Sequence, residues 1–288
     1  MGLVLAAALF SVLVSVLLKL MPRFGIDAGQ AITWNYLAAG LLCLWLFDPP
    51  LAALQSTQTP WLALLLLAVV FPSLFLVLAA SVRRAGIVRT DIAQRLSLLL
   101  SLVAAFTVFG EATTTWKLAG LALGLVAIVA VLARPDGGAA RSARGSVGLL
   151  LIVWVGFALV DVTLKFIARA GTPFAATLAA SFTLAFVGML ALQLWRHAKD
   201  RSPLRLHNFV VGLLLGALNF GNIICYVRAH RALADSPAVV FATMNISVVV
   251  LGTIVGVVAF GEPTSRWNRL GIVLALLAIA VIASASKT

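Results

Sequence analysis

The chain has 288 residues, of which 62% are hydrophobic and only 10% charged, with a formal net charge of +12. Soluble domains carry about 25% charged residues, and no soluble core of this length hides so much apolar surface; the mean hydropathy of +1.12 agrees. Soluble globular classes are excluded on that ground. Nucleic-acid binding is excluded because the basic residues fall in short clusters between apolar stretches, not along one face.

A membrane-spanning helix needs about 20 predominantly apolar residues. In chain order the pattern predicts spans at 2–21, 29–47, 60–82, 88–109, 114–133, 146–168, 173–195, 208–230, 236–260 and 266–285. The first, Met1 to Leu20, lacks a basic leading region and a small-residue cleavage site, so it reads as a span and not a signal peptide. The fourth opens on Asp91, Gln94 and Arg95, and the ninth has a polar start. The longest connections are Arg134–Gly145 and Arg196–His207, both basic and without apolar pattern. The predicted fold is therefore an all-α integral membrane protein of ten transmembrane helices, with no separate soluble domain.

Ten spans return both termini to one face. The opposite face collects most of the basic loop residues, among them Arg83, Arg84, Arg134, Arg141, Arg144, Arg196 and Lys199. The terminal face receives Lys117, Arg169, Arg228, Arg231 and Lys287. The positive-inside rule then puts both termini outside the cytoplasm.

The two halves of the chain repeat each other. Phe109-Gly110-Glu111-Ala112-Thr113, with Trp116 and Gly120, matches Phe260-Gly261-Glu262-Pro263-Thr264, with Trp267 and Gly271, at one constant offset. Lys19 and Gly25 match Lys165 and Gly171 at a slightly shorter one. The expected organisation is a five-helix repeat at 1–133, a basic linker loop at 134–145 and a second five-helix repeat at 146–288. Five is odd, so the second copy enters the membrane from the opposite side. An inverted repeat lets one fold exchange outward-open and inward-open forms, which argues for transport by alternating access. Duplication without transport is the other reading.

Two five-span halves, each closing on a Gly-Glu turn before its last helix, resemble the drug/metabolite transporter superfamily, EamA type. The fragments Gln30-Ala31-Ile32 with Asn35-Tyr36, and Gly216-Ala217-Leu218-Asn219-Phe220, are similar to segments of its bacterial members. The resemblance covers essentially the whole chain. It implies a helical transporter fold and the export or uptake of a small metabolite, without a substrate; with the residues read below, the expected function is a secondary transporter of the cell inner membrane that moves a small polar metabolite, an amino acid or similar. The implied partners are that substrate, the lipid bilayer and protons as a candidate coupling ion, in a monomer or homodimer without cofactor. A lipid-handling flippase or membrane scaffold is the alternative, and a membrane-embedded enzyme a more distant one.

Polar groups inside lipid are costly, so each is a candidate for function. Asn219, Asn222 and Tyr226 share a stripe of the eighth span, with Asn219 about 17 Å along it, near the midplane. Carboxamides both donate and accept, which suits a neutral or zwitterionic ligand, but they also join helices to one another. Gln94 and Asn245 occupy the same place in the two halves. Asn35 is the deeper polar residue of the second span, and Gln30 points elsewhere on the wheel. Arg95 can fork onto a carboxylate or phosphate, or be neutralised by Asp91 four residues before it. Trp34 and Trp154 line a cavity or serve as packing.

Lys19 and Lys165 either snorkel to the interface or enter ion pairs. Asp161, four residues before Lys165, is the deep carboxylate of the second half and reads as a coupling group or as that lysine's partner. Glu111 and Glu262 sit in turns and read as turn formers and helix N-terminal caps. Cys43 and Cys225 lie in different halves and read as buried free thiols. No catalytic constellation, metal-ligand spacing or nucleotide-binding loop occurs in the sequence.

Overall fold

The computed structural model describes residues 1–110, 114–132, 140–199, 203–233 and 237–285. Among these the chain is all helical, in ten α-helices: α1 Gly2–Leu20, α2 Ala28–Phe47, α3 Trp61–Arg84, α4 Ile87–Thr107, α5 Thr115–Leu132, α6 Ala140–Arg169, α7 Phe174–Ala198, α8 Leu206–Ala232, α9 Pro237–Ile254 and α10 Arg266–Ala285. Eight are long and apolar enough to cross a membrane, α5 is apolar but shorter, and α4 falls short in apolarity. The shortfall has a residue-level cause, since Arg89, Asp91, Gln94 and Arg95 all lie in the first turns of α4.

One boundary differs from expectation, and one helix end takes an unexpected form. α6 begins at Ala140, so the latter part of the expected 134–145 linker is helical, and residues 133–139 lie outside the described ones. α9 ends in a wider π turn over Val255–Ala259, which folds the chain back so that Glu262 N–H donates to Gly256 C=O at 3.0 Å. Such π segments recur at functional sites.

The helices assort into two compact units that both draw on the two sequence halves. The first comprises Met1–Lys19, Val77–Ala158 and Gly221–Thr288. It holds α1, α4, α5, α9 and α10 with parts of α3, α6 and α8. Its apolar centre sets Val4, Ala8 and Val12 of α1 against Ala229, Val240, Met244 and Val248. Within it α5 and α10 run antiparallel in close contact. A Cβ on Gly120 would sit 2.5 Å from Ile282 Cγ1, and one on Gly271 would sit 2.8 Å from Val131 Cγ2. At the repeat offset Gly120 maps onto Gly271 and Val131 onto Ile282, so the two contacts exchange. The backbone agrees at the repeated turns. Gly110 and Gly261 have φ of 66° and 61°, and Gly25 and Gly171 have 64° and 84°.

The second unit comprises Leu20–Leu76 and Leu159–Phe220. Here α2 and α7 are antiparallel, tied at one end by Asp27 and Arg196 (3.0 Å) and packed further along through Tyr36 and Phe182, ring centroids 5.9 Å apart. Asp27 also caps α2, accepting from Gln30 N–H at 3.0 Å. Gln30 is a clamp and not a cavity group, since its Oε1 accepts from Asn208 Nδ2 at 2.8 Å and its Nε2 donates to Pro203 C=O at 2.9 Å.

Candidate functional site

The first unit contains a ladder of polar contacts between α1 and α4. Ser11, Ser15 and Lys19 recur every fourth residue on α1 and therefore share one face. Arg95, Asp91 and Ile87 recur at the same spacing on α4, in the opposite direction. Arg95 Nη2 donates to Ser11 Oγ at 2.8 Å, and Ser15 Oγ donates to Asp91 Oδ1 at 2.9 Å. At the third rung Glu262, from the turn after α9, reaches between the helices. It ion-pairs with Lys19 and accepts from the backbone N–H groups of Ile87 (2.7 Å) and Val88 (3.1 Å).

The physical reason for that third rung lies at the start of α4. A helix N-terminus leaves backbone N–H groups without partners and carries a partial positive charge. The N-cap residue is Gly86, at φ 93°, which has no side chain to offer. Glu262 supplies the missing acceptor from a distant part of the chain. Its carboxylate lies so close to Gly86 that a Cβ there would meet Oε2 at 2.6 Å. Glu262 does cap a helix, as expected, but the helix is α4. α10 is capped by its own residues, with Ser265 Oγ accepting from Asn268 N–H at 3.1 Å and Asn268 Oδ1 from Ser265 N–H at 3.4 Å. Glu111 lies outside the described residues.

Lys19 does not snorkel. Its ammonium is turned inward onto Glu262, with 16% and 9% of the two side chains exposed, and stands 4.6 Å over the Phe260 ring. Arg95 acts on Asp91 with favourable charge, as expected, and each of the two also takes a serine of α1 as hydrogen-bond partner. Asp91 spends Oδ1 on Ser15, and its fully buried Oδ2 has no hydrogen-bond partner among the described residues. Oδ2 lies against α9 where Gly252 has no side chain. Gly256, one turn on, makes the same room for Val88 and Glu262. Arg89, also on α4, is committed elsewhere and donates through Nε to Val131 C=O at 3.0 Å.

The remaining candidates are distributed between the units. Asn222 Nδ2 donates to Ala7 C=O at 2.7 Å, and Tyr226 packs on the apolar cluster of α1 and stacks edge-on with His230. Asn245 is buried and donates to Phe241 C=O of its own helix at 2.8 Å, while Gln94 is half-buried. Trp154 donates to Leu96 C=O at 2.8 Å. In the second unit Asn219 Nδ2 donates to Asn35 Oδ1 at 3.3 Å, so two of the expected amides do meet. Asn35 Nδ2, Tyr36 OH and Ser181 Oγ are buried there with no hydrogen-bond partner among the described residues. Trp34 packs in an aromatic group with Phe209 and Phe186. Asp161, expected deep, is exposed on α6, and Lys165 is half-buried.

Asp91 and Glu262 are thus the carboxylates that sequence reasoning undervalued. The signal available was the matched every-fourth-residue spacing of Ser11, Ser15 and Lys19 with Ile87, Asp91 and Arg95. Among the described residues no three His, Cys, Asp or Glu side chains form a group able to hold a metal ion.

Comparison with known proteins bears on the whole chain. Residues 1–133 match the EamA-like transporter family. An uncharacterized protein of Haemophilus influenzae (strain ATCC 51907 / DSM 11121 / KW20 / Rd) is 39% identical over 281 residues, spanning 95% of this chain and 94% of that one. Apolar helices that can cross a bilayer many times, charged groups turned inward between them and this match agree: the chain is a multi-pass membrane protein that belongs to the EamA-like transporter family.

Proposed function

We propose that the chain is a secondary transporter that moves a small polar metabolite, an amino acid or similar, across the inner membrane by alternating access. The observation that carries this reading is the exchange of the α5–α10 contacts at the repeat offset, Gly120 with Ile282 for Gly271 with Val131. Contacts that exchange between antiparallel helices of the two halves are what an inverted repeat produces, and such repeats let one fold present either face. The matched left-handed glycines at the repeated turns support the same reading.

The substrate is met by side-chain amides. Asn35 and Asn219 are our first assignment, because they face one another and Asn35 keeps an unpartnered buried N–H. An amide pair offers both donor and acceptor and no net charge, which selects a neutral or zwitterionic ligand. Gln94, Asn245 and Arg95 are further polar contacts. Asn222 and Tyr226 hold α8 to α1.

The test is a thermal-shift screen of the purified protein against amino acids and related metabolites, followed by counterflow of the hit in proteoliposomes. A ligand present at about 100 times its Kd adds about 2.7 kcal/mol to apparent stability. Asn219→Ala is expected to weaken binding of that hit by roughly 1–3 kcal/mol, the cost of an unpaired buried polar group. An Asn219→Ala protein that loses thermal stability yet binds unchanged makes the amide a helix-joining group. A hit that binds without counterflow would remove the transport reading.

A further inference from the structure

Asp91 is a buried carboxylate among apolar helices, and intramembrane ionisable groups are functional candidates by default. The groups facing it come from each element around it. From α1, Ser15 donates to Oδ1, and Lys19, one turn on, is held by Glu262. From α4, Arg95 acts on it with favourable charge. Glu262, from the turn after α9, acts on it with opposing charge. α9 presents the bare backbone of Gly252, against which Oδ2 lies with no hydrogen-bond partner among the described residues. A charged oxygen sealed in that seat is costly, and a neutral carboxyl much less so.

We propose that Asp91 is the proton site of this transporter: it holds a proton on Oδ2 while α9 is closed over it at Gly252, and gives that proton to water when α4 and α9 part. The proposal rests on the transport reading and names its coupling ion. The step is a protonation alone, with the carboxylate gaining H⁺ from the aqueous phase and returning it there. Ser15 holds the other oxygen and fixes which one faces α9. The structure favours Asp91 over Asp161 for this role, because Asp161 is exposed and Asp91 is sealed between three helices.

The test follows backbone deuterium uptake of α9 in the full-length protein in lipid nanodiscs, in acidic and in alkaline buffer, after correction for intrinsic exchange. No substrate is needed, so its failure is separate from a failure of the metabolite screen. Wild type and Asp161→Asn are expected to show several-fold greater uptake across α9 in alkaline buffer. Asp91→Asn, permanently neutral, is expected to stay low in both, and Asp91→Glu to keep the response. A pH response that survives in Asp91→Asn overturns the proposal, as does a wild-type α9 indifferent to pH. Should Asp91→Asn fail to fold, Gly252→Ala, which pushes the carboxyl off α9, must move the pH of the response. An unmoved profile overturns the proposal equally.

Discussion

Lys19 and Glu262 illustrate how much a single charge depends on its partner inside a bundle. Neither side chain keeps more than 16% of its surface exposed, and Glu262 also carries the N–H groups that open α4. Glu262→Gln retains an acceptor for Ile87 but leaves the lysine charge buried and uncompensated. Removing one member of a buried pair costs about 3–5 kcal/mol, whereas replacing both is often neutral. The expected result is a large drop in melting temperature for Glu262→Gln and near-recovery in the double variant Lys19→Met with Glu262→Gln. A double variant no better than the single would mean that the glutamate serves α4 alone. Sequence reading found Lys19 and Arg95 because charges inside apolar runs stand out. It named Asp91 beside Arg95 but found neither Glu262 as the partner of Lys19 nor the serines of α1. Ser11 and Ser15 are unremarked in an apolar helix until the rotational setting of α1 against α4 is known, and neither helix encodes that setting by itself.

At the scale of elements, the ten helices were legible because a bilayer leaves a backbone few other ways to satisfy its hydrogen bonds. The π turn after α9 was not legible, and it leads into the turn that sets Glu262 against the start of α4. The repeat was legible at Gly120 and Gly271, and the structure adds what each glycine touches. A methyl on Gly271 would meet the Val131 nitrogen at 3.0 Å and the Ala127 oxygen at 3.2 Å, both backbone atoms that cannot swing aside. A methyl on Gly120 would chiefly meet Ile282 Cγ1, a side-chain atom that yields only through the restricted χ1 of a β-branched residue but, unlike backbone, can be truncated away. Overpacking costs about 1–3 kcal/mol. Gly271→Ala is therefore expected at the upper end of that range and Gly120→Ala at the lower, read as melting temperatures in one detergent. Ile282→Ala should rescue Gly120→Ala, and no side-chain truncation at Val131 should fully rescue Gly271→Ala. The reverse order would mean that α5 yields more readily than its neighbours allow.

At the scale of the whole chain, topology can be argued from links inside each unit. Ten alternating crossings require the ends of α1, α3, α5, α7 and α9 to share a face with the starts of α2, α4, α6, α8 and α10. Asp27 before α2 pairs with Arg196 at the end of α7. Lys19 at the end of α1 pairs with Glu262 before α10. Ser146 near the start of α6 donates to Arg84 C=O at the end of α3, and Asn268 in α10 donates to Val131 C=O near the end of α5. Each link joins ends that alternation assigns to one face, and that face is the one to which the positive-inside rule gives the cytoplasm. The prediction is that Thr57, in the exposed α2–α3 connection, faces outside and that Lys199, exposed beyond α7, faces the cytoplasm. With Cys43 and Cys225 replaced, Thr57→Cys should react with an impermeant maleimide on intact cells, and Lys199→Cys only after permeabilisation. The opposite pattern would reverse the orientation while keeping ten crossings. Reaction of both positions from the same side would break the alternation itself, and with it the inverted repeat on which the transport reading depends.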